Sequence, residues 1–114
     1  MLKSLYKQIL GKLALSDEQL KILIKQLRSD NICAGPFVKN GKKCPNTMAL
    51  NIKIGRNSLV ANKEIRRLLN QHGVGSFDLW RFYLLFDFPA RLSDRWFVML
   101  KDKLIEAAKD LAGS

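Results

Sequence analysis

The chain has 114 residues, 47% of them apolar, which suits one ordered, water-soluble domain and excludes an intrinsically disordered segment. Twenty Lys and Arg against ten Asp and Glu give a net charge of +10, which points to an anionic partner without fixing the fold. Two cysteines, Cys33 and Cys44, are too few for a domain held together by disulfides.

Leu2, Leu5, Tyr6, Ile9, Leu10 and Leu13 recur at helical spacing, with Lys3, Lys7, Gln8 and Lys12 on the opposite face. The lysines interrupt any secretory apolar stretch, so a cytoplasmic location is expected. Ser16 opens a second helix, with Gln19 placed for a capping box and Asp17 and Glu18 in the first turn. Leu20, Leu23, Ile24 and Leu27 form its apolar stripe, widened by Ile22. The short connection at Ala14 and Leu15 predicts an antiparallel pair of helices over residues 1–29.

Residues 30–61 form a basic loop or hairpin region. Asn31, Gly35, Pro36, Asn40, Gly41, Pro45 and Asn46 break a helix, and Asn40-Gly41 is a strong two-residue hairpin turn. That turn pairs Lys39 with Lys42 and Val38 with Lys43, and sets Phe37 opposite Cys44. Met48, Leu50, Ile52 and Ile54 then alternate with Ala49, Asn51 and Lys53, which reads as a half-buried strand. A short helix from Pro45 competes with that reading. Gly55 ends the segment in both cases.

Residues 62–112 read as three helices. Asn62 is placed to cap the first, which runs to about Gln71, with Gly73 just past its end. Ile65, Leu68, Leu69 and His72 share one side of it, and Lys63, Arg66 and Arg67 the other. Ser76 is placed to cap the next, whose apolar residues from Phe77 to Phe88 point in nearly every direction until Pro89 stops it. Such a helix lies centrally in the core or is partly covered by another subunit. At twelve residues, and with Asp78, Arg81 and Asp87 inside it, this run is too short and too charged to span a bilayer. Ser93 caps the last helix, with Phe97, Leu100, Leu104, Ala108 and Leu111 inward.

The expected fold is therefore a single, mainly α domain of about five helices with a small inserted β-hairpin or three-stranded element. Its charge is uneven. Residues 31–72 carry Lys39, Lys42, Lys43, Lys53, Arg56, Lys63, Arg66 and Arg67 against a single acid, Glu64, whereas residues 73–114 are neutral. A cluster that repels itself often marks a site for a polyanion.

Little in the sequence points to catalysis. It contains no G-x-S-x-G, no phosphate-binding glycine loop, no dinucleotide fingerprint and no H-E-x-x-H. Structural zinc needs four ligands, and the ten-residue gap between Cys33 and Cys44, with His72 as the one histidine, fits no usual spacing, so no metal or cofactor is expected. The two cysteines are read as small semi-buried thiols, with a disulfide closing the basic loop as the alternative. His72 reads as a core or capping histidine, and Asp78 with Arg81 as an ion pair within one helix. Trp80 and Trp96 read as core residues or as interface anchors.

The leading functional expectation is a non-enzymatic protein that binds DNA or RNA through backbone phosphates at the eight basic residues named above. Beyond Phe37 that segment carries little aromatic residue, which weighs against base stacking. The alternative is a protein-interaction or assembly module, as a homo-oligomer or with an acidic protein partner.

Overall fold

The computed structural model describes residues 1–35, 37–39, 41–55 and 62–113. Pro36, Asn40 and Arg56 lie outside the described residues. The described chain is mostly helical. The first two helices, α1 (Leu2–Leu13) and α2 (Asp17–Leu27), stand where the apolar spacing sets them. The Ser16 capping box is complete: Gln19 N–H donates to Ser16 Oγ at 3.1 Å, and Ser16 N–H donates to Gln19 Oε1 at 2.9 Å. Ile22 does not join the buried stripe and stays exposed.

The two helices are not a mutually packed pair. Each lies mainly against the C-terminal helix, α6 (Asp94–Ala112). Ala107 and Ala108 sit fully buried on α6, and small side chains there let both neighbours approach closely. The short Ala14-Leu15 link therefore turns the chain without making an independent hairpin of helices. Ser93 caps α6 as expected, accepting from Trp96 N–H at 3.1 Å.

Between α2 and the rest lies a short hairpin, β1 (Val38–Lys39) and β2 (Lys42–Lys43), in the register Val38 with Lys43 and Lys39 with Lys42. Cys44 N–H donates to the Phe37 carbonyl at 2.9 Å, which extends that register by one step. A third stretch joins from the N-terminal side. Ile32 pairs in parallel with Lys43, and Cys33 N–H donates to Lys43 O at 3.0 Å.

The strand expected at Met48–Ile54 is instead a helix, α3 (Pro45–Ile54). Pro45 stands at its first turn, where its missing N–H costs nothing, and Gly55 closes it at φ 73°. The alternation misled because α3 is packed by α1, α2 and α4 together. Every residue from Pro45 to Asn51 is buried, the polar positions included, so the period of two carries no facing information there.

Helix α4 (Asn62–Gln71) begins with Asn62 as its first helical residue. It ends in a Schellman turn: Val74 N–H donates to Leu69 O, Gly73 N–H donates to Asn70 O, and Gly73 takes φ 89°. His72 Nδ1 lies 2.9 Å from the Leu68 carbonyl, the capping role read from its position.

Helix α5 opens at Ser76–Phe82. Its N-cap is Gly75 rather than Ser76, and Asp78 in the first turn accepts from Gly75 N–H at 3.3 Å. Asp78 pairs with Lys12 of α1 at 2.6 Å rather than with Arg81, whose guanidinium lies over the Phe77 ring. Burial pushes the Asp78 carboxyl up, but the bonds from Lys12 and Gly75, with Lys12 and Arg81 as nearby charges, hold it below its ordinary value.

The helix continues through a wide π-helical turn, Tyr83–Asp87, and a last turn, Phe88–Ala90. Pro89 does not stop the helix at once. A proline cannot donate to the carbonyl four residues back and crowds it, and the widened turn ahead of Pro89 relieves both problems. Only one side of α5 enters the core: Phe82 and Phe86 are fully buried, while Phe77, Trp80, Leu84 and Phe88 remain exposed.

An aromatic series ties the layers together. Ring centroids step from Tyr6 to Phe82 (5.8 Å), to Phe86 (5.2 Å) and to Phe97 (6.0 Å), crossing from α1 through α5 to α6. Gly73 isolates a backbone effect, because an added Cβ would come no nearer than 3.9 Å to Lys12 Cδ while the left-handed φ disfavours it. Gly73→Ala is expected to lower stability by about 1 kcal/mol, read as a lower urea midpoint with an unchanged slope.

Candidate nucleic-acid interface

The hairpin, α3, α4 and α5 border a wide-mouthed cavity of about 710 Å³. That volume lies in the range of about 300–1,000 Å³ that small-ligand sites occupy. Lys63 and Arg66 of α4 line one side of it and Trp80 and Tyr83 of α5 another. Phe37, at the base of the hairpin, completes the rim, and Arg66 Cζ stands 5.7 Å from its ring centroid. A cation over an aromatic face is held by the ring quadrupole, so this pair ties the hairpin to α4.

The eight basic residues do not all converge there. Lys63 and Arg66 share the cavity. Lys39 and Lys42 face each other across the ladder and line a second, shallower pocket of about 410 Å³ together with Arg91. Lys43 is half-buried between strands. The Lys53 ammonium donates to the Ala14 carbonyl at 3.1 Å and so closes the end of α1. Arg67 is engaged along α4 with Glu64, its Nε donating at 3.1 Å.

Sequence reasoning missed the aromatic half of the site. Trp80 is 57% exposed and Tyr83 is also exposed, so neither is spent on the core. They line the same cavity as Lys63 and Arg66 through the tertiary fold, which no local spacing encodes. The partial signal was the surplus of apolar side chains around α5.

The deep side of the cavity is formed by buried residues, both apolar (Cys44, Phe82) and polar (Asn46, Asp87). Asn46, in the first turn of α3, is 1% exposed, and Asp87, at the end of the π-helical turn, is 6% exposed. Gly35 N–H donates to the Asp87 carboxyl. Among the described residues, Asn46 Oδ1 and Asp87 Oδ1 are buried without a hydrogen-bond partner. Each such oxygen costs about 1–3 kcal/mol of desolvation that a donor would recover.

Burial raises the Asp87 carboxyl to about 7, against the opposing pull of the Gly35 N–H and the Arg91 charge. Two thiols lie within reach of its field. Burial pushes Cys44 up to about 12, with Asp87 adding to the shift, and it pushes Cys33 up in the same sense. They are not joined to each other. The Cys33 thiol donates to the Lys42 carbonyl at 3.6 Å, and Cys44 Sγ accepts from Thr47 Oγ1 at 3.7 Å.

Among the described residues, no group of three or more His, Cys, Asp and Glu is placed to hold a metal ion. No helix there is long and apolar enough to cross a membrane. Compared with known protein families, with curated proteins and with solved structures, the chain matches none.

The raised Asp87 value carries a sign that can be checked. The folded protein holds this proton more tightly than the unfolded chain, so the contribution of Asp87 to stability falls as pH rises from about 4 to about 7. Asp87→Asn keeps the shape and removes the charge. It is expected to raise the urea midpoint at pH 8, with the gain shrinking steadily as pH falls toward 4.

Proposed function

We propose that this protein binds single-stranded nucleic acid across the mouth formed by α4, α5 and the base of the hairpin. One observation carries the reading: cationic groups and exposed aromatic faces share that mouth. Arg66 lies over Phe37, and Lys63, Trp80 and Tyr83 line the same cavity. Cations track a phosphate backbone through charge and counterion release, and flat rings accept bases by stacking. Lys39, Lys42 and Arg91, around the neighbouring pocket, extend the cationic track past the hairpin.

The reading is of a binding protein and not an enzyme. Its thiols are held far from the thiolate form by burial, which suits packing rather than nucleophilic attack. Its one histidine is committed to a backbone carbonyl.

A second reading rests on a different surface. The outer side of α5 and the start of α6 leave Leu84, Phe88, Leu92, Trp96 and Met99 exposed, an apolar display that suits a protein partner or a second copy of the chain. Light scattering over a concentration range tests the second copy. A mass that rises with concentration, and stays monomeric in Phe88→Ser with Trp96→Ser, is expected if that face self-associates. A monomer throughout removes the homodimer.

For the leading reading, anisotropy of a labelled oligonucleotide over a salt series is decisive. Affinity is expected to fall steeply with salt, and Lys63→Glu with Arg66→Glu to weaken binding by about tenfold or more and flatten the slope by about 0.7 per lost phosphate contact. Lys53→Glu, away from the cavity, should change affinity far less. No binding at low salt removes the reading.

A further inference from the structure

Lys39 and Lys42 stand directly opposite each other in the hairpin, so their side chains leave the same face. Like charges so placed repel. The second pocket, of about 410 Å³, gathers both lysines and adds Arg91. Arg91 is packed against the loop before the hairpin: a Cβ on Gly35 would lie 3.4 Å from its Cδ and Nη1. The Cys33 thiol lines the same pocket and lies within the field of both lysines. Lys101 brings a further cation, its Nζ 5.6 Å from the centre of the lining Phe97 ring.

Acids do little to balance these charges. Among the described residues Asp94 is the one carboxylate that lines the pocket, and it belongs to the first turn of α6, where the helix dipole favours an acid. Among the described residues no carboxylate lies within ion-pair distance of Lys39, Lys42 or Arg91. Asp87 acts on Arg91 from the buried side and is itself raised to about 7. Three lining cations against one lining acid leave an excess of two positive charges.

We propose that this pocket seats a phosphate monoester, either the terminal phosphate of a bound strand or that of a small phosphorylated compound. A monoester carries roughly −1.5 to −2 at neutral pH and presents three terminal oxygens. A diester inside a strand carries a single charge and has two free oxygens. The monoester therefore matches the excess charge, and its three oxygens meet three cationic side chains. A compact dianion also relieves the repulsion across the ladder. The strand as source rests on the nucleic-acid reading above. One stretch of loop borders both sites: Gly35 and Phe37 line the cavity, and Cys33 and Ala34 line the pocket. The end of a strand held at the cavity mouth thus comes to the pocket.

The test compares oligothymidylates of one length with a phosphate or a hydroxyl at the 5′ end, and a second pair that differs at the 3′ end. Each is labelled at the opposite end, and inorganic phosphate is titrated separately by calorimetry. A phosphate at one of the two ends is expected to tighten binding about tenfold over its hydroxyl counterpart. One more nucleotide, which adds a diester charge, should tighten it far less. Lys42 is exposed on the hairpin, so Lys42→Gln should fold normally and abolish the terminal advantage. Lys63→Glu with Arg66→Glu should weaken every oligonucleotide and leave that advantage intact. Inorganic phosphate should erase it, and chloride at equal ionic strength should not. If neither terminal phosphate matters but inorganic phosphate binds the wild type and not Lys42→Gln, the pocket stands and its ligand is a small phosphorylated compound. An advantage that survives Lys42→Gln with Arg91→Gln overturns the pocket. So does the absence of any terminal advantage together with no binding of inorganic phosphate. If the hydroxyl oligonucleotides still bind in that case, with their salt dependence intact, the strand-binding reading stands without the pocket. Inorganic phosphate bound through Lys42, with no oligonucleotide binding, supports the pocket and overturns the strand.

Discussion

Tyr6 is the residue on which the arrangement of the site depends. It is fully buried in α1, packs at a tilt with its ring centroid 5.8 Å from that of Phe82 of α5, and donates its hydroxyl to the Pro45 carbonyl at 3.3 Å. One side chain thus fixes α1, the entry to α3 and the buried side of α5. Asn46 follows Pro45 directly, and Asp87 follows Phe86, which stacks on Phe82 in turn. The buried Asn46 and Asp87 are thus each next in sequence to a residue held in the contact chain of one tyrosine. Burial raises its phenol well above the usual value, so it acts as a neutral donor under ordinary conditions.

The charge distribution shows why a count of basic residues is a poor map of a surface. The central third of the sequence is its most basic part, yet folding sends its members to different duties. Lys53 closes a helix end, Arg67 is engaged along its own helix, and Lys43 sits between strands. Arg66 and Lys63 keep their charge at a cavity mouth. The difference lies in what each side chain meets after packing.

Much of the helical framework was legible because its signals are local. Ser16 with Gln19, Ser93, and Gly73 past the end of α4 are caps whose chemistry works within one turn. The hairpin register followed from turn length alone, although Asn40 itself lies outside the described residues. Pro45 and Gly55 bracketed α3 correctly, but the alternating apolar pattern between them outweighed those signals and suggested a strand. The contacts that build the site were not legible. Arg66 over Phe37, and Asp87 with Gly35, join residues distant in sequence through surfaces that no single element describes. The same is true of Lys12 with Asp78, which replaced a pairing expected within α5.

The π-helical turn has a further consequence, for the reading of faces along α5. A wide turn places one more residue in a stretch than regular winding needs, which rotates everything after it by about 100° relative to everything before. The helix is then two amphipathic segments set out of phase. That offset accounts in part for apolar residues pointing in nearly every direction from Phe77 to Phe88: averaged over one winding, two offset stripes look like none. It also leaves Asp87 beside Phe86 on the buried side, where the cavity meets it. The aperiodicity of this segment is the imprint of a phase change that carries a carboxyl group inward.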